Sequence, residues 1–349
     1  MKMIPNLRLP VVGAALATLT LAACEPPPVD TVQRGYRGLG MEVVINPDDR
    51  ARSVAENMPP DIIPQIEDDD GPRAGDIYQN VEVLGDLSVG QFTRVMASIT
   101  EWVAPEAGCA YCHEGNNFAS EAPYTKRVSR VMFAMTQRAN EDWGSKHVAP
   151  TGVTCYTCHR GKPVPEYVWA EDPGGPHAKG LARAEQNVAG KKAVAYASLP
   201  YDPLTPFLSE DYEIRVASDT ALPNGNRASI KETEWTYGLM MHFSDSMNVN
   251  CTYCHNSRAW SDWEQSSPAR LKAWHAIRMV REMNNAYIDS TADWLPDSRK
   301  GALGDPLKVS CKTCHQGAYK PMYGAKMIDQ FPSLSKKTGV AVDMHKKGG

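Results

Sequence analysis

Four copies of Cys-x-x-Cys-His constrain this chain more than anything else in it. They stand at Cys109-Ala110-Tyr111-Cys112-His113, Cys155-Tyr156-Thr157-Cys158-His159, Cys251-Thr252-Tyr253-Cys254-His255 and Cys311-Lys312-Thr313-Cys314-His315. The pattern is the attachment signature of c-type haem. Two cysteines form thioethers with the haem vinyls and the adjacent histidine ligates the iron. Positions i, i+3 and i+4 share one helix face, so a single turn presents all three groups to one macrocycle. The copies use eight of the nine cysteines. A disulfide framework gives no reason for a histidine after every second cysteine. A pair of four-ligand zinc sites would leave two surplus histidines per site. The expectation is four covalently bound c-type haems.

The 349 residues suffice for two ordinary domains, or for one with large loops. With 26 Gly and 26 Pro, long irregular connections are expected, and macrocycles would supply much of the apolar core. A net charge of −4 gives no basis for nucleic-acid binding. Residues 1–23 read as an export signal: Lys2 and Arg8 are basic, and Leu9 to Leu21 is apolar but short for a membrane span. Leu21-Ala22-Ala23-Cys24 has the form of a lipobox, and Cys24 is the one cysteine outside the haem motifs. The alternative is an ordinary signal cleaved near Ala23. Removing Lys2 and Arg8 leaves 35 basic against 41 acidic residues, a charge of −6. The mature protein is expected outside the cytoplasmic membrane, tethered by lipid at Cys24.

The rest divides into a strap (24–87), a first half with motifs one and two (88–165), a connecting segment (166–226), a second half with motifs three and four (227–324) and a tail (325–349). The strap is rich in Pro, Asp and Gly and reads as extended, crossing the surface of a partner. Ser88-Val89-Gly90-Gln91 has capping-box form and opens a helical apolar run from Phe92 to Val103, broken at Pro105 and Gly108. A second helix is predicted over Tyr124 to Asn140, a third over Arg227 to Met247 and a fourth from Ser267-Pro268, a cap followed by Pro at N1. A short helix is expected around Leu181 to Ser198. Thr157-Cys158-His159-Arg160-Gly161 and Thr313-Cys314-His315-Gln316-Gly317 match, so the chain reads as an internal duplication with two haems per half. The fold class is mainly α with long irregular loops.

Each iron needs a sixth ligand, and methionine there raises the haem potential relative to a second histidine. Five histidines lie outside the motifs: His147, His177, His242, His275 and His345. Met96, Met132 and Met240 stand on helices preceding a motif, 13, 23 and 11 residues before its first cysteine. They are the candidate ligands of haems one to three, with Met135 and Met241 as neighbouring alternatives. For the fourth haem the repeat places Met279 where the second half-unit has Met132, and His275 lies one turn earlier. Arg130, Arg160, Arg258 and Arg278 are candidates for raising potentials or for pairing with carboxylates.

From the lipobox through the fourth motif, the chain resembles the tetrahaem cytochrome c subunit of the purple-bacterial photosynthetic reaction centre. The resemblance is carried by Glu101-Trp102-Val103-Ala104-Pro105, by Thr151-Gly152-Val153-Thr154 leading into the second motif, and by Tyr237-Gly238-Leu239-Met240-Met241 with Asn250 and Asn256 flanking the third. It implies a multihaem cytochrome of two pseudo-twofold-related halves, each binding two haems on helix–turn–helix units. It implies three His/Met haems (Met96 with His113, Met132 with His159, Met240 with His255) and one bis-histidine haem. The odd histidine comes from the loop before the second motif and crosses to the fourth haem, which makes it His147 opposite His315, in place of Met279. It also implies a lipid-anchored subunit on the periplasmic face of the photosynthetic membrane, bound to the L and M subunits of a complex that also contains H. Such a subunit takes electrons from a soluble cytochrome c or a high-potential iron–sulfur protein. It relays them through its haems to the photo-oxidised bacteriochlorophyll pair, an electron carrier rather than an enzyme. A stand-alone tethered cytochrome, or a multihaem reductase with one open iron, would share the motifs.

Overall fold

The computed structural model describes residues 29–34, 40–66, 69–172, 199–200 and 202–335. The signal segment, Cys24, the helix expected around Leu181 to Ser198 and the tail lysines lie outside them. Strands β1 (Asp30–Gln33) and β2 (Glu42–Ile45) pair antiparallel, Asp30 opposite Ile45. The helices that follow are α1 (Pro47–Glu56), α2 (Ala74–Ile77), α3 (Val89–Val103), α4 (Tyr124–Asp142), α5 (Cys155–His159), α6 (Thr205–Leu208), α7 (Ile230–Met247), α8 (Pro268–Glu282) and α9 (Cys311–His315). Short 3₁₀ and π turns and long loops make up most of the remainder, so the chain is mainly helical with little strand.

Local chemistry sets the helix starts. Ser88 Oγ accepts from the Gln91 amide at 3.1 Å and opens α3, as the sequence predicts. Ser229 Oγ accepts from Glu232 N at 3.2 Å, which moves the start of α7 from Arg227 to Ile230. Ser267 caps α8 with Pro268 in its first turn. Each such cap satisfies an otherwise orphaned amide, worth about 1 kcal/mol. The strap is not extended throughout. Asn46 caps α1 through the amides of Asp48 and Asp49, and the segment lies on its own chain. Asn250 Nδ2 donates to Glu42 O at 2.8 Å, and Val44 N donates to Asn250 Oδ1 at 3.2 Å. At the far end of α1, Ser53 Oγ donates to Gly317 O at 2.8 Å and Asn57 Nδ2 to Gln316 O at 3.1 Å.

The scaffold repeats in its hydrogen bonds. Gly161 N donates to Trp102 O at 2.8 Å in the last turn of α3; Gly317 N donates to Ser246 O at 2.9 Å in the last turn of α7. Asn140 and Val153 exchange a bond each way (2.8 and 2.7 Å), and Asn284 does the same with Val309 (3.0 and 2.9 Å). Both asparagines spend a second donation on a distant carbonyl, Leu334 O or Leu208 O. Thr125 Oγ1 reaches Tyr111 O, and Ser267 Oγ reaches Tyr253 O, each across 14 residues. The asparagine anchors set the register where α4 and α8 end, with two more residues from Ser267 to Asn284 than from Thr125 to Asn140. Met96 and Met240 stand six residues before equivalent carbonyls. Met279, five residues before Asn284, corresponds to Met135 and not to Met132, whose counterpart is Ala276. The repeat argument for Met279 as a ligand is corrected accordingly.

Two apolar clusters hold these parts. One gathers Met135, Phe207, Leu208, Leu239, Ile277, Met279 and Val309 between α4, α6, α7 and α8. The other packs Leu84, Val95, Trp102, Phe133, Phe331 and Leu334 under α3 and α4. Trp102 meets Phe331 edge-on with centroids 4.7 Å apart, a contact worth about 1 kcal/mol beyond the area it buries. Arg94, 5% exposed, closes that cluster: it lies over the Phe331 ring and donates to the carbonyls of Ile63, Pro64 and Gln330.

Candidate haem sites

Motifs two and four are short helices with matching ends. The amides of Thr154 and Ser310 donate to Thr157 Oγ1 and Thr313 Oγ1 at 3.0 and 2.8 Å. Their last residues hand over to Arg160 (φ 51) and Gln316 (φ 48), then to Gly161 (φ 77) and Gly317 (φ 83). A double left-handed turn is strained for most residues, and glycine at its second position relieves it. Motifs one and three are 3₁₀ turns in which the amides of His113 and His255 each donate to the carbonyl of Cys109 or Cys251 at 3.0 Å. In all four motifs one turn carries both cysteines and the histidine.

The histidines are oriented through their second nitrogen. His159 Nδ1 donates to Lys162 O (2.9 Å), His255 Nδ1 to Trp260 O (2.8 Å) and His315 Nδ1 to Ala318 O (2.9 Å). That leaves Nε2 as the nitrogen for a metal, the second-shell arrangement usual for ligating imidazoles. His113 differs: its Nδ1 is buried without a partner among the described residues, and its ring packs on Phe118 with centroids 4.8 Å apart. Burial lowers the pKa of all four rings, which favours the neutral, ligating form at pH 7. Burial likewise pushes the thiols of Cys155 and Cys311 up to about 12 and that of Cys254 to about 11. Cys158 Sγ and Cys314 Sγ lie 3.2 Å apart, so motifs two and four meet back to back.

Among the candidate sixth ligands, His147 is set apart. It sits in a π turn, Gly144–Val148, after α4, and its Nδ1 donates to Lys272 O of α8 at 3.1 Å. Its ring centroid is 6.1 Å from that of His315. Two imidazoles on one iron, each with its nitrogen about 2 Å from the metal, need roughly that span. Burial, and then the neighbouring His315, lower the His147 pKa to about 3. Met132 and Met135 both line an apolar cavity with Cys112, Cys155, Cys158 and His159, which brings the second motif and its candidate ligands to one place. Met96 and Met240 are half-buried against the two clusters, on α3 and α7. Met279 is 5% exposed and packed in the core. His275 stacks edge-on with Trp274. His242, held neutral by burial with its pKa at about 4, lies beside Ser246 Oγ.

The four arginines separate as well. Arg130 forms a two-pronged pair with Glu121 at 2.8 Å on both arms. Arg278 lies 3.3 Å over Trp274, and Arg258 reaches Gln265 at 3.3 Å. Arg160 donates one nitrogen to Asn57 Oδ1, while its buried Nε and Nη1 have no partner among the described residues. Orphaned donors on a buried cation beside Cys158 fit an anionic group of a bound cofactor, such as a haem carboxylate.

Sequence reasoning missed Asn140 and Asn284. Their signal was present, because asparagine late in an apolar helix spends its side chain on neighbouring backbone.

Four Cys-x-x-Cys-His turns, three of them with the histidine Nδ1 bonded to a backbone carbonyl so that Nε2 faces a metal, are the site of a c-type cytochrome. The model of the photosynthetic reaction centre cytochrome C subunit family matches residues 25–335. The photosynthetic reaction center cytochrome c subunit of Thermochromatium tepidum is 55% identical over 331 residues, covering 95% of this chain and 81% of that protein. The same subunit of Rubrivivax gelatinosus is 49% identical, covering 94% and 89%. That of Roseobacter denitrificans is 39% identical, covering 95% and 93%. This chain belongs to the family of photosynthetic reaction centre cytochrome c subunits: it carries c-type haem and serves electron transfer in the reaction centre, at the photosynthetic membrane. Among the described residues no helix is long and apolar enough to cross a membrane.

Proposed function

We propose that the chain is the tetrahaem donor to the photo-oxidised bacteriochlorophyll pair, taking electrons from a soluble cytochrome c or a high-potential iron–sulfur protein. Cys109 and Cys112, Cys155 and Cys158, Cys251 and Cys254, and Cys311 and Cys314 hold the four haems. His113, His159, His255 and His315 ligate the irons from one side; Met96, Met132, Met240 and His147 do so from the other. Haem supplies reversible one-electron chemistry at iron, and iron with both axial positions filled offers a substrate no site, so the subunit carries electrons and is not an enzyme. Its own residues orient the imidazoles, exclude water and set the charge around each site. The observation that carries the ligand set is the His147–His315 pair: two neutral imidazoles, from opposite halves of the repeat, held 6.1 Å apart by carbonyls of their own scaffold. The halves are 88–165 and 227–324. The subunit docks on the L and M subunits, within a complex that includes H, on the periplasmic side, and lipid at Cys24 keeps it there.

Flash spectroscopy on native membranes tests this reading. After one saturating flash, haem oxidation should keep pace with re-reduction of the bacteriochlorophyll pair. Haems that stay reduced while the pair recovers would overturn it.

A further inference from the structure

His147 stands in a turn of the first half, yet the second half holds it. Its ring is bonded to Lys272 O near the start of α8. At the end of that helix Glu282 grips the root of the same turn. One carboxylate oxygen accepts from Trp143 Nε1 at 2.7 Å, and the other accepts from Arg138 Nε at 2.7 Å. Trp143 O in turn accepts from the amides of His147 (2.9 Å) and Val148 (3.2 Å), so it is the pivot on which the π turn is wound. The anchor register makes Arg138 and Glu282 equivalent positions, each two residues before its asparagine. The pair therefore lies where the repeats face each other, and it has opposite charges where an exact repeat would place like ones.

We propose that Glu282 is a positioning residue for the sixth ligand of the fourth haem. By fixing the Trp143 indole it fixes the turn that presents His147 to His315. A carboxylate that accepts one bond from a π turn and one from the helix feeding it ties the turn's direction to the second half. The 3.1 Å bond to Lys272 O alone would leave the imidazole free to swing about its own backbone. The inference rests on His147 being that ligand.

The test uses membranes carrying the whole complex, with the haems reduced and mixed with carbon monoxide. Trp143→Phe removes the indole N–H and leaves charge and ring in place; Glu282→Leu removes both acceptors. In each, carbon monoxide should bind one haem about tenfold faster than in the parent, the rate change produced by about 1.4 kcal/mol of lost ligand retention. The other three haems should stay inert. Glu282→Gln keeps a carbonyl for the indole and should behave as the parent. His147→Ala run in parallel separates the two claims. If it leaves all four haems inert, the ligand reading fails. If it opens one haem while Trp143→Phe and Glu282→Leu open none, the ligand stands and the positioning role falls. Opening of several haems at once would also overturn the role, because it would report general loosening.

Discussion

The two halves of the repeat share their anchors and differ in what they hang on them. Each ends its first helix under the glycine that follows its second motif, and each uses a late asparagine to hold the segment entering that motif. Yet α8 has Ala276 where α4 has Met132, and the second half has Gln316 where the first has Arg160. Among the described residues the first half alone extends a histidine across the interface. The hydrogen bonds that build the turns recur in both halves, while the residues proposed to ligate and tune the haems differ between them. The difference teaches that the scaffold and the proposed tuning rest on separate positions.

The largest expected effect comes from the anchors themselves. Asn284 is fully buried and Asn140 half-buried. Asn284→Leu leaves the Val309 amide and the Leu208 carbonyl unserved, while Val309 O keeps the Trp169 indole, at a cost of about 3 kcal/mol, with a smaller loss in Asn140→Leu. Thermal unfolding followed at the haem bands checks both, and equal losses would erase the asymmetry. Next comes the ligand difference. Met132→Ala should lower one midpoint potential by on the order of 100 mV, within the ~0.8 V that axial ligands command, in a redox titration that leaves the other haems in place. If Met135→Ala does this instead, the ligand lies one turn further on. Third, Arg160→Gln gives both halves the same residue after the motif. Loss of the buried cation disfavours the added electron, so one potential should fall by about 60 mV, a tenfold change for a one-electron couple. An unmoved titration would make Arg160 a structural partner of Asn57 only.

The smallest effect concerns the loops before the second helix of each half. In the first half, burial pushes the Glu121 carboxyl up, but bonds from Arg130, Asn80 and Lys126 outweigh it and hold its pKa at about 2. In the second half, Arg270 donates to the carbonyls of Asp262 and Ser261 and to Ser266 Oγ instead. A carboxyl with a depressed folded-state pKa stabilises fully above its ordinary value near 4.5 and loses that contribution as pH falls toward 2. Glu121→Gln should flatten the acid limb of stability in that window by about 1 kcal/mol or less, since the group is partly exposed. A parent and variant with identical acid limbs would remove Glu121 from the account.

Helix positions were legible because their causes are local. Ser88 and Ser267 announce starts, the start predicted at Arg227 passes over Ser229 and falls three residues early, and apolar spacing gives the faces. The haem turns were legible because covalent attachment requires a fixed pentapeptide. The register between halves was not. Fifteen residues separate Asn140 from Cys155 and 27 separate Asn284 from Cys311, so spacing from the cysteines carries no register between α4 and α8. The His147–His315 approach was equally hidden to spacing, because it depends on carbonyls of Lys272 and Ala318 in other parts of the chain. Family resemblance supplied His147 where periodicity could not. The strap read as extended because its Pro and Asp content masks a helix whose cap is Asn46 and whose far end is bonded only in tertiary structure.

That strap has a consequence for the order of assembly. Residues 40–57 find their partners at Asn250 to Ser257 and at Gln316 and Gly317, which are made later. Contacts that span more than 200 residues form slowly, because the loop between them must close first. Residues 40–44 therefore wait for the third motif, and Ser53 and Asn57 wait for the turn after the fourth. The strap's docking then acts as a late clasp that closes over a chain already carrying its last attachment site.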